Sequence, residues 1–134
     1  MITPSDAERI LGDARPEHQF YLKNGAVVKN LYELHSILGA IDHKTFKHHV
    51  NETKNDFANW VLHVHKDPEL AEKIKKAKSK EELQKHVKHR INHLHKIKAK
   101  HYCDARRHMK CGSVDFMLGL VLGISIGLAI RRFV

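Results

Sequence analysis

The chain has 134 residues, 42% hydrophobic and 29% charged, which allows one domain with a modest core and excludes a large multidomain enzyme. Its cysteines, Cys103 and Cys111, are too few to staple a secreted mini-domain, and the first thirty residues lack a signal peptide's apolar run, so the expected setting is a reducing cytoplasm. The net charge of +9 is uneven: residues 1–72 hold 8 Lys/Arg and 11 Asp/Glu, a net of −3, whereas residues 73–110 hold 14 Lys/Arg and 3 Asp/Glu, a net of +11. A cationic strip that ends at an apolar tail reads as the cytoplasmic flank of a membrane helix rather than as a dedicated nucleic-acid surface.

The expected fold class is mainly α, a small helical domain with a short β-hairpin, a long basic C-terminal helix and one C-terminal transmembrane helix. Thr3, Pro4 and Asp6 predict a capped first helix. In QFYLKNGAVVKN, Asn24 and Gly25 suit a tight type I′ turn, so Phe20–Lys23 and Ala26–Val28 are predicted to pair as a hairpin. Leu31, Leu34, Ile37 and Leu38 mark a helix starting near Asn30, and Phe46 with Val50 marks another. Thr53 and Asp56 are the expected caps of the next helix, whose Phe57, Trp60, Val61 and Val64 form one apolar stripe. Asp67, Pro68 and Glu69 open a shorter helix bearing Leu70 and Ile74, and Ser79 with Glu82 forms a capping box for the long basic helix. Leu83, Val87, Ile91 and Leu94 give that helix its apolar face.

Beyond Leu94 the apolar face fades, which sets the expected organisation: a helical domain over 1–96, a basic juxtamembrane stalk over 97–113, a membrane helix over 114–130 and a tail over 131–134. The span VDFMLGLVLGISIGLAI has Asp115 as its only charge; as a helix its 17 residues cover about 26 Å against a hydrocarbon core of about 30 Å, a mismatch that Arg131 and Arg132 can bridge by snorkelling. The excess of positive charge upstream keeps the N-terminal side in the cytoplasm. Gly119, Gly123 and Gly127 line one helix face in a GxxxGxxxG stripe suited to self-association into a homo-oligomer. Lys96, Lys98, Lys100, Arg106, Arg107 and Lys110 are the expected contacts to anionic lipid headgroups.

The stretches FYLKNGAVVKNLYELHSIL and FKHHVNETKNDFANWVLHVHKDPELAEKI carry an F-x-L-x-x-G opening followed by N-L-x-E-L, and an N-D-F-x-x-W segment made of Asn55, Asp56, Phe57 and Trp60, preceded by His49. In these pieces residues 19–75 resemble a small helical domain of unknown function found mainly in archaea and some bacteria. The resemblance implies a helical fold and carries no activity; the lysine-rich helix and apolar tail lie outside it.

No nucleophile motif, phosphate-cradling glycine loop, zinc-type cysteine pairing or haem attachment sequence is present, so the expectation is a protein that is not an enzyme. Histidine is the abundant chemical group, with 13 residues. His86, His89 and His93 lie near one helix face, where imidazoles could converge on Zn, Cu or Ni, although Lys85, Lys88 and Arg90 oppose a dication. His48, His49, His63 and His65 flank the Trp60 helix; His49 reads as a buried, hydrogen-bonded group that could share a pocket with Asn55, Asp56 and Trp60. Cys103 and Cys111 read as plain thiols, with lipidation or a disulfide between protomers geometrically open at Cys111. The expected function is membrane-tethered interaction or scaffolding with an unidentified protein partner. The alternatives are metal binding or pH sensing by the histidine-rich helix, and nucleic-acid attraction that Tyr102, the strip's sole aromatic, leaves without sequence specificity.

Overall fold

The computed structural model describes residues 2–103. The chain divides into two units, Met1–Lys98 and Ala99–Val134. The first contains helices α1 (Pro4–Leu11), α2 (Leu31–Ala40), α3 (His43–His49), α4 (Asp56–His63) and α5 (Pro68–Lys76), with a short 3-10 turn at Pro16–His18 and strands β1 (Phe20–Tyr21) and β2 (Val27–Val28). A final helix, α6, begins at residue 80 and continues to residue 103. Among the described residues no helix is long and apolar enough to cross a membrane. The predicted span 114–130, its glycine stripe and the basic residues from Arg106 onward lie outside the described residues, as does Cys111; Cys103 is an exposed free thiol.

Local chemistry sets most helix starts. Thr3 caps α1 through the Asp6 N–H while the Asp6 carboxylate accepts from the Thr3 N–H, a reciprocal capping box. Asn30, Asp42 and Asp67 accept from Glu33, Thr45 and Leu70 N–H groups at the starts of α2, α3 and α5. At α6 the box is shifted by one residue: Ser79 Oγ accepts from the Glu82 N–H, but the Glu82 carboxylate takes the Lys78 N–H.

Two local expectations are corrected. The hairpin pairs Phe20 with Val28 and Tyr21 with Val27, yet its turn is not type I′. The Leu22 N–H bonds to the Ala26 carbonyl at 2.9 Å and the Gly25 N–H to the Leu22 carbonyl at 3.0 Å, leaving a three-residue loop, Lys23–Gly25. Only Gly25 within it has positive φ, +84°, so one left-handed residue closes the loop where a type I′ turn needs two. At α4 the cap is Asn55 rather than Thr53 or Asp56. Asn51 Oδ1 takes the Thr53 and Lys54 N–H groups, and an isolated bridge joins Val50 to Asn55, so the chain is still extended until Asn55 Oδ1 accepts from the Ala58 N–H.

The predicted apolar faces meet in one core. Leu31, Leu34 and Leu38 of α2, Phe57 and Val61 of α4, Leu70 and Ile74 of α5, and Leu83, Val87 and Leu94 of α6 are fully buried, and the hairpin contributes Phe20, Leu22 and Val28. Each such side chain stabilises the fold by about 1.5–3 kcal/mol relative to exposure. Ile37, Val50 and Val64, expected on these faces, are half-buried at the core's edge. Gly39 permits a close approach of α6 to α2: a Cβ there would lie 2.9 Å from Gln84 Nε2, which donates to the His35 carbonyl at 3.0 Å.

A buried ion cluster joins α5 to α6. Arg90 donates through Nε and Nη2 to the two carboxylate oxygens of Asp67 at 2.7 and 2.8 Å, and through Nη1 to Glu69 at 2.6 Å. Asp67 is wholly buried and Arg90 is 3% exposed. Arg90 is therefore part of the interior, contrary to its expected place among solvated cations around the histidines.

Candidate functional site

The expected group of His49, Asn55, Asp56 and Trp60 separates into three structural roles. His49 is buried against Phe20 and Phe57. Its Nε2 accepts from the Lys23 N–H at 3.2 Å, which leaves the proton on Nδ1, 3.1 Å from Asp56 Oδ2. The hairpin loop is thus fastened to α3 and α4 through one imidazole. Burial raises the Asp56 carboxyl pKa, but hydrogen bonds from Lys54 and His49 outweigh it and hold the group below the usual aspartate range. Asn55 caps α4 and donates from Nδ2 to the Ile74 carbonyl at 3.2 Å. Trp60 faces elsewhere, with Nε1 donating to the His18 carbonyl at 2.8 Å.

Nor do His86, His89 and His93 form a preassembled metal site. Among the described residues no three His, Cys, Asp or Glu side chains are gathered to hold an ion. The His93 Nδ1 faces the Arg90 guanidinium at 3.3 Å, the His86 ring lies 3.8 Å from Glu82, and His89 is exposed. A cation already occupying the neighbouring position opposes a dication there. Of the expected lipid-contacting lysines, Lys96 and Lys100 are exposed and Lys98 pairs with Glu8 at 3.5 Å.

A different place gathers polar groups around a cavity. The loop after α1 and the turn between α4 and α5 enclose an open cavity of about 510 Å³. Arg9, Asp13, Arg15 and His18 line it from the first segment, and His63, His65 and Lys66 from the second. Its size falls within the usual range for small-molecule sites. The fixed charges on its wall are three cations and one carboxylate. The second segment turns sharply because Lys66 adopts a left-handed conformation, φ +55°, uncommon for a side-chain-bearing residue, and the Asp67 N–H reaches back to the Val61 carbonyl at 3.3 Å.

That turn carries His65 inward. The residue is 3% exposed, and its ring meets Trp60 edge-to-face at 4.5 Å between centroids. Its carbonyl accepts from Arg9 Nη1 at 2.7 Å, tying α1 to the turn. The Ile10 carbonyl lies on the side of the ring where it favours an N–H, and Nε2 is a buried side-chain atom without a hydrogen-bond partner. Burial pushes the imidazole below the usual histidine range and Arg9 adds to this, against the Ile10 carbonyl and the charges of Asp67 and Asp13, which favour protonation. The sequence offered only His65 of this arrangement, as one of several histidines near Trp60; Arg9 comes from α1, Arg15 from the loop after it and Lys66 from the α4–α5 turn, with no shared motif.

Comparison with protein-family models, curated proteins and solved structures finds no match to this chain, so the likeness of residues 19–75 to a helical domain of unknown function stays an expectation from sequence.

Proposed function

We propose that the chain is a membrane-tethered, non-enzymatic interaction or scaffolding protein, with its helical domain on the cytoplasmic face and copies associating through Gly119, Gly123 and Gly127. The observation that carries this reading is the sequence break after residue 113, where a cationic strip gives way to 17 residues with one charge. The described part of α6 supports it. Leu83, Val87, Ile91 and Leu94 are taken up by the core, whereas Lys85, Lys88 and Lys96 are exposed and available to an anionic surface. Each such cation near a negatively charged leaflet adds about 1 kcal/mol of attraction. The two most buried titratable pairs, His49 with Asp56 and Arg90 with Asp67, are consumed by structural hydrogen bonds, which favours binding over catalysis.

Deleting residues 114–134 tests the reading. The full chain should stay with membranes through a carbonate wash and the truncated chain should appear in the soluble fraction. Undiminished retention of the truncated chain would refute the anchor. Gly123→Ile should lower chemical cross-linking between copies without releasing the protein.

A further inference from the structure

The cavity between the loop after α1 and the α4–α5 turn is independent of the membrane reading. We propose that it binds a small phosphate monoester, with Arg9, Arg15 and Lys66 supplying positive charge and His65 Nε2 sharing a proton with a phosphate oxygen. Two observations converge. The wall carries three cations against the one carboxylate of Asp13, inside a segment whose overall charge is negative, and Arg9 and Arg15 meet Asp6 and Glu17 only in long, solvent-exposed pairs of 3.5 and 3.6 Å that a phosphate can replace. The same wall contains a 97%-buried imidazole whose Nε2 has no partner, an arrangement that native interiors rarely keep without use.

The state of that nitrogen selects the ligand. Nε2 faces no acceptor that would hold its proton, and the Ile10 carbonyl favours the N–H on the other nitrogen, so in the neutral ring Nε2 presents a lone pair. A ligand that satisfies it must bring an O–H or N–H. A phosphate monoester loses its last proton near about pH 6 and can bring it at neutral pH, so the bound pair is neutral imidazole with the monoanion or imidazolium with the dianion, the same atoms and the same proton. Sulfate, of like shape and charge, carries no proton there, and a carboxylate gives its proton up at about pH 4. The site therefore discriminates by proton content as well as by charge. Because Nε2 is shielded from solvent, engagement includes a shift of the side chains at the wall.

Calorimetry on the full chain in zwitterionic micelles, titrated with inorganic phosphate and with sulfate, tests this. Saturable phosphate binding at least about tenfold tighter than sulfate is expected. His65→Asn keeps an N–H for the Ile10 carbonyl and deletes Nε2; with an unchanged far-ultraviolet spectrum it should erase the preference. Arg15→Gln, at a residue 78% exposed in its side chain, should weaken both anions together and does not depend on the His65 variant folding. Competition with bound phosphate by glycerol 3-phosphate marks a soluble ligand, and competition only by phosphatidic acid in the micelle marks a lipid headgroup. No saturation up to about 10 mM phosphate, equal binding of both anions, an unaltered preference in folded His65→Asn, or competition by neither monoester overturns the proposal.

Discussion

Replacing Arg90 by methionine removes the guanidinium while keeping most of its aliphatic volume. Asp67 Oδ2 then loses its donor at 2.7 Å, and Oδ1 loses the one at 2.8 Å and keeps the Leu70 N–H at 3.2 Å. Because Asp67 has no exposed surface, water cannot replace the lost cation, and removing one partner of such a pair costs about 3–5 kcal/mol. That is a large part of the roughly 5–15 kcal/mol that holds a domain of this size together. Glu69→Gln should cost less than about 1 kcal/mol, since that carboxylate is 49% exposed and screened by solvent. Asp67→Asn retains a capping oxygen for Leu70 and leaves Arg90 paired with Glu69, so its loss falls between the two. The double variant Asp67→Asn/Arg90→Met leaves no buried unpaired charge and should be less destabilised than the sum of the single losses by at least about 1 kcal/mol. Urea unfolding of the full chain in micelles, followed by circular dichroism, supplies all four values. A loss under about 1 kcal/mol for Arg90→Met, or strict additivity in the double variant, would refute the claim that the cluster is a desolvated, mutually dependent pair.

Gly25→Ala should destabilise by about 1–2 kcal/mol through backbone conformation alone, because its new Cβ meets no atom within 4 Å while φ is +84°; Gly25→Asn should lose less, and urea midpoints separate them. Asn55→Ala removes both the α4 cap and the bond to Ile74, for a loss of about 2 kcal/mol, whereas Asn55→Asp keeps the cap and should lose less by the same measurement. His65 has a lowered folded pKa, so below its unfolded value of about 6.5 the unfolded chain binds more protons. Its contribution is complete above that pH and is lost as pH falls toward the folded value; thermal midpoints should decline on acidification from neutrality, less steeply in His65→Asn.

Much of the helical frame is legible in sequence because its determinants are local. Thr3, Asn30 and Asp67 each act on an N–H three residues ahead, and the apolar spacing from Leu83 to Leu94 matches the face that the core covers. The hairpin turn is less legible because Asn-Gly is compatible with more than one loop, and the Leu22–Ala26 bond decides between them. Asn55 displaces Thr53 as a cap because Asn51 satisfies the intervening backbone first. The Asp67–Arg90 pair spans 23 positions; although Arg90, seven residues after Leu83 and four before Leu94, falls on the apolar face by helical periodicity, nothing local pairs it with Asp67. The cavity is harder still, since Arg9, Arg15 and Lys66 meet only after α1 and α4 have packed.

The edge-to-face contact of Trp60 with His65 places the chain's single tryptophan beside the buried imidazole. An indole's emission is quenched by an adjacent imidazolium and shifts when its surroundings become wet. The molecule therefore contains its own optical gauge: without any attached label, ultraviolet emission follows the protonation of one histidine, and separately the loosening of the two loops that Trp60 and Arg9 hold together.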